Sequence, residues 1–91
     1  MKYFFYIVRC ADNTLYCGQT NDLYKRLKEH NSSNARSAKY TKTRRPVVLA
    51  YYEQYPTLQD AMKREIQIKK WTKAKKEALV KGDKIALKKF K

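Results

Sequence analysis

The chain has 91 residues, 43% of them hydrophobic, with only two glycines and two prolines; this suits one small folded domain and is too apolar for a disordered chain. Twenty-two Lys and Arg stand against eight Asp and Glu, a formal net charge of +14, which calls for a polyanionic partner, nucleic acid before all others. No run approaches the roughly 18 apolar residues of a membrane span, and no segment joins a broad apolar face to the lysines as an interfacial helix does. The plain alternative for the lysines is solubility.

Lys2 to Arg9 is rich in β-branched and aromatic residues and predicts a strand rather than a signal peptide, since no small-residue cleavage site follows it. Ala11-Asp12-Asn13-Thr14 predicts a turn, because Asp and Asn bond locally to the backbone and tolerate left-handed geometry. Leu15 to Gly18 begins a second strand, so the chain opens on a hairpin, with Gly18 marking a bulge or a close backbone approach. Cys10 and Cys17 flank the turn; reduced thiols in the cytoplasm are expected. Thr20, Asn21 or Asp22 caps a helix running to about His30, with Leu23 and Leu27 as its buried stripe.

Residues Asn31 to Thr43 lack apolar periodicity and read as a basic polar loop ended by Pro46. Val47 to Tyr52 is a third strand, apolar enough to be central with both faces covered. Thr57 caps a second helix to about Lys70, with Leu58, Ala61, Met62, Ile66 and Ile68 on one side. Trp71 and Thr72 open a shorter helical segment broken by Gly82, and Ile85, Leu87 and Phe90 anchor a last short one. The order ββα, β, αα predicts an α+β class, a small sheet with helices packed on it. Basic residues accumulate toward the end: 10 against 5 acidic in residues 1–60, and 12 against 3 in residues 61–91.

Several positions carry chemical potential. On a helical wheel Glu65 falls within about 20° of the centre of the apolar side. An unpaired buried carboxylate is costly, so it binds a cation or pairs with Lys69 one turn later. Arg26 and His30 share a helix face; an arginine fork suits phosphate oxygens and a histidine moves protons near neutral pH, although an ordinary solvated face would look the same. Tyr6 and Tyr16 stand on opposite arms of the hairpin, where their phenols either pack or hydrogen-bond to phosphate. Lys39, Tyr40, Lys42, Arg44 and Arg45, together with Lys69, Lys70 and Lys73, are the side-chain types that contact nucleic-acid backbones, although basic runs are also common solvated faces.

Taken together, the chain resembles the GIY-YIG endonuclease domain family, in its small bacterial single-domain branch. The family's two tripeptides match Phe4-Phe5-Tyr6 and Tyr16-Cys17-Gly18, with the two tyrosines ten residues apart and Arg26 ten residues after Tyr16. His30 and Glu65 match the later family positions, and the resemblance covers residues 3–80. It implies a three-stranded antiparallel sheet within a single domain, with core 3–80 and basic tail 81–91. It also implies phosphodiester hydrolysis on DNA with one Mg2+ or Mn2+ held by Glu65. In that scheme Arg26 neutralises the phosphate, Tyr6 orients or deprotonates water, and Tyr16 and His30 complete the hydrogen bonding. Gln19 replaces a frequent basic residue and Glu77 stands where an asparagine is common. With no room for a recognition domain, cleavage is expected to be weakly sequence-specific or directed by DNA structure, as in repair or recombination. A non-catalytic nucleic-acid-binding module is the alternative.

Overall fold

The computed structural model describes residues 2–32, 39–83, 85 and 87. Its elements are β1 (Tyr3–Arg9), β2 (Leu15–Thr20), α1 (Leu23–His30), α2 (Lys39–Lys42), β3 (Val48–Tyr55), α3 (Leu58–Lys69) and α4 (Lys73–Lys81). The three strands form one sheet in the order β2-β1-β3, and both pairings are antiparallel. β1 is therefore the central strand. The sequence expectation of a central third strand is corrected: β3 is an edge, and Val48 and Tyr52 are 59% and 54% exposed. Its apolar run serves both faces: Tyr51 and Tyr55 pack beneath α3, while Tyr52 meets Phe4 edge-on at the open margin of the α1 side.

Local chemistry explains the element ends. Asn13 takes the left-handed backbone (φ 70°) of the β1–β2 turn, and Asp12 Oδ1 accepts from the Thr14 amide at 3.1 Å. Asp22 accepts from the Lys25 amide to start α1, Thr57 from Asp60 to start α3, and Thr72 from Lys75 to start α4. Gly82 closes α4 at φ 70°, a conformation that a side chain would strain.

Alternation along β1 divides the core. Phe5 and Ile7 join Leu15, Cys17, Ile68 and Leu79 beneath α3 and α4. Tyr6 and Val8 join Cys10 and Val47 on the other face, with Leu23 and Leu27 of α1 packed against them. The two cysteines are free and buried in different clusters, so the hairpin does not bring them together.

The buried side of α3 also differs from the sequence expectation. Ala61 and Ile68 are buried, but Leu58, Met62 and Ile66 are 36%, 43% and 57% exposed. The cause is a polar cluster. Glu53 of β3 accepts from Tyr51, from Tyr55 and from both Nε and Nη2 of Arg64. That bidentate pair turns the Arg64 side of α3 toward the sheet, and small Ala61 lets the helix come close.

Four of the thirteen residues of the expected polar loop form a helical turn, α2; residues 33–38 of that loop lie outside the described residues, as do Phe90 and most of the basic tail. Leu87 packs against the first cluster. Among the described residues no helix is long and apolar enough to cross a membrane.

Candidate functional site

Tyr6, Tyr16, Arg26 and His30 converge on the α1 face. The Tyr6 hydroxyl lies 2.7 Å from His30 Nε2, and His30 Nδ1 lies 2.8 Å from Thr41 Oγ1. Both His30 and Thr41 are fully buried. The solvated-face alternative for His30 is thereby excluded: the ring sits under the turn α2, with Tyr6 and Tyr16 edge-on to it at 5.8 and 5.4 Å between centroids.

Gly18 makes this arrangement possible. A Cβ on Gly18 would stand 2.5 Å from the Tyr6 hydroxyl oxygen and 2.6 Å from Cζ, so only glycine lets the Tyr6 ring lie across β2. Beside it is a small cavity of about 10 Å³ lined by Tyr6, Arg26, His30 and apolar side chains, room for about one water.

The electrostatics follow from burial. Burial pushes the Tyr6 phenol up to about 12, against the pull of the Arg26 guanidinium. His30 is pushed down to about 4, first by burial and then by the Arg26 charge, so it is neutral at physiological pH. Arg26 also donates from Nη1 to Glu29 Oε1 at 3.2 Å, which steadies a cation beside the phenol.

A second group of side chains adjoins the first. Tyr40 stacks on Tyr16 (5.6 Å, 22°), and the Arg44 guanidinium lies 4.0 Å above the Tyr40 ring. Arg44 is held by Asp12 Oδ2 at 3.1 Å and by the Tyr40 carbonyl at 2.8 Å. Lys39, Lys42 and Thr43 complete an open concavity around this stack. Arg45 donates to the Lys42 carbonyl at 3.0 Å. The phosphate-contacting residues expected on this stretch therefore stand together, next to the convergent tyrosines.

The residues expected on α3 and α4 are placed apart from these. Glu65 lies at the border of the buried side of α3, not at the centre of an apolar face, because Arg64 rather than Leu58 faces the sheet. Its Oε2 pairs with Lys69 Nζ at 2.7 Å, the structural alternative for this residue. Its charge still reaches the Tyr6 hydroxyl, and that of Lys69 reaches Tyr16. Lys70 is exposed at the end of α3. Lys73 is engaged with Glu77 at 2.9 Å.

Among the described residues no group of three or more His, Cys, Asp or Glu is placed to hold a metal. Both ring nitrogens of His30 have partners, which leaves Glu65 as the donor. Magnesium is commonly held by one or two carboxylates completed by waters and substrate phosphates. Glu65 suits a cation that arrives with a phosphate and displaces Lys69, not a preformed site.

Asn31 is a site residue that the sequence does not single out, and Thr41 reads there only as one hydroxyl of the basic loop suited to phosphate, which its full burial corrects. Asn31 imitates a strand neighbour, donating from Nδ2 to the Val47 carbonyl (2.9 Å) and accepting at Oδ1 from the Val47 amide (2.7 Å). It thus ties the end of α1 to the segment that follows α2. The available signal for Thr41 is indirect: a buried imidazole needs a partner at each nitrogen.

Comparison with known proteins agrees with this geometry. The family profile described as the GIY-YIG catalytic domain matches residues 2–78. The UPF0213 protein YazA of Bacillus subtilis is 49% identical over 79 residues, covering 87% of this chain and 78% of that protein. A UPF0213 protein of Staphylococcus aureus is 48% identical over 80 residues, covering 88% and 95%. The solution NMR structure of protein EF2693 from E. faecalis superposes with a TM-score of 0.60 at 38% identity, covering 90% of this chain and 85% of that one. That of the UPF0213 protein BH0048 from Bacillus halodurans gives 0.58 at 36%, covering 91% and 86%.

Proposed function

The chain belongs to the GIY-YIG catalytic-domain family, and from that premise we propose that it is a nucleic-acid-binding domain whose α1 face and α2 turn grip DNA backbone phosphates. The observation that supports this most is the Tyr16–Tyr40–Arg44 stack with Lys39 and Lys42 around it, on a chain of net charge +14. Lys, Arg and hydroxyl groups make most backbone contacts, and Tyr40 holds its neighbours in a fixed array. Arg45 extends the cationic surface, exposed Lys70 offers a further contact at the end of α3, and Lys69 and Lys73 would join once phosphate draws them from Glu65 and Glu77. DNA is the partner in this reading, with branched forms met in repair or recombination as the first to test, and the cytoplasm is the compartment.

A second reading, metal-dependent hydrolysis, is favoured by one observation: the buried line from Tyr6 through His30 to Thr41. With Mg2+ or Mn2+ held by Glu65 and the substrate, the metal would polarise the scissile phosphate and stabilise the leaving oxygen. Arg26 then neutralises charge growing on the phosphate, and Tyr16 hydrogen-bonds to it. A phenol with its pKa near 12 is a poor base by itself. Tyr6 works only by taking a proton from water as it passes its own to neutral His30.

One experiment separates the readings. Labelled duplex, single-stranded and branched DNA is mixed with the protein in Mg2+, Mn2+ or EDTA, and both gel shift and cleavage are followed, with Glu65→Gln alongside. A shift in EDTA without cuts in metal is the expected signature of a binding domain. Metal-dependent cuts that Glu65→Gln abolishes establish the hydrolase. Neither a shift nor a cut in any buffer at physiological salt overturns both.

A further inference from the structure

The turn α2 is four residues long, Lys39–Lys42, and its fully buried member is Thr41. Its neighbours Tyr40 and Lys42 belong to the cationic concavity, and the Arg44 amide donates to the Thr41 carbonyl at 3.0 Å. A ligand held by Tyr40, Lys42 and Arg44 therefore bears directly on Thr41, whose Oγ1 is 2.8 Å from His30 Nδ1.

The hydrogen bonds run in one direction. Arg26 only donates, and its guanidinium acts on the Tyr6 oxygen. The hydroxyl hydrogen of Tyr6, which is 3% exposed, is left for its other neighbour, His30 Nε2, at 2.7 Å. A neutral imidazole that accepts at Nε2 carries its proton on Nδ1, and that N–H then donates to Thr41 Oγ1.

We propose that Thr41 is a positioning residue: its hydroxyl oxygen holds the Nδ1 proton of His30, keeps Nε2 as the acceptor for Tyr6, and couples that pair to nucleic acid seated on α2. When a proton moves from Tyr6 Oη to Nε2, the ring becomes an imidazolium whose Nδ1–H stays on Thr41, and the phenolate oxygen stays beside Arg26. The coupling rests on the binding reading above; the tautomer does not.

The chain's only histidine makes the test direct. Nitrogen-15 NMR of the imidazole in EDTA is recorded for the wild type, Thr41→Ser and Thr41→Val. The expected result is a single tautomer protonated on Nδ1 in the wild type and Thr41→Ser, with loss of that single state in Thr41→Val. A wild-type ring protonated on Nε2, or a Thr41→Val spectrum like the wild type, overturns the proposal. Should Thr41→Val not fold, the wild-type and Thr41→Ser spectra decide. A duplex oligonucleotide is then added to the wild type. A moved His30 Nδ1 resonance supports the coupling, and binding in a gel with an unmoved resonance refutes it. Absence of binding removes the premise without touching the tautomer.

Discussion

His30 is uncharged in the folded chain because its ring is buried and stands beside the Arg26 charge. Its folded pKa of about 4 lies below the ordinary histidine value. The unfolded chain therefore takes up a proton that the folded chain refuses. Stability is complete above the ordinary value and is lost as pH falls toward 4, since the unfolded state binds more protons in that window. Between pH 7 and pH 5 the loss is about 2 kcal/mol. Urea unfolding at the two pH values should show it, and His30→Gln should flatten the difference. Equal wild-type midpoints would mean that the ring is hydrated. At this scale the sequence is partly legible. Tyr6, Tyr16, Arg26 and His30 can be named from the family resemblance and do converge. Thr41 cannot, because its role is a contact between segments eleven residues apart in which no periodicity participates.

At the scale of elements, α4 is pinned to the end of β1 by one carboxylate. Glu77 accepts from Arg9 Nη1 and Nη2 at 2.7 Å each and from Lys73 at 2.9 Å. Those cations hold its carboxyl down to about 2. The residue that departs from the family pattern thus has a structural task here. The pair is partly exposed, so Glu77→Gln should cost about 1 kcal/mol at low salt and less at high salt. Urea midpoints at the two ionic strengths check this, and a loss independent of salt would point to packing instead. Helix starts at Asp22, Thr57 and Thr72 and the stop at Gly82 are legible because caps are local. The central place of β1 and the rotation of α3 are not, because the first depends on pairing with β3 about 45 residues away and the second on Arg64 finding Glu53.

For the whole molecule, the net charge of +14 sets how binding responds to salt. Each phosphate contact releases counterions, so affinity falls with the logarithm of salt, by a slope of about 0.9 per contact on duplex DNA. Lys42→Ala and Arg44→Ala, at the concavity, should each lower that slope by about 1, whereas Lys63→Ala, exposed on α3, should leave it unchanged. Titrations at several salt concentrations measure the slopes, and equal slopes for all three variants would place DNA elsewhere.

Tyr6 belongs to the packed interior and to the candidate site at once: its ring fills the space over Gly18 while its oxygen meets His30. Phenylalanine would fill the same space but leave the buried Nε2 of His30 without its donor. In the hydrolytic reading, a lineage carrying this fold would therefore give up proton transfer in a single substitution, at the cost of one buried hydrogen bond. In that reading shape and reactivity are inherited separately, and one atom divides them.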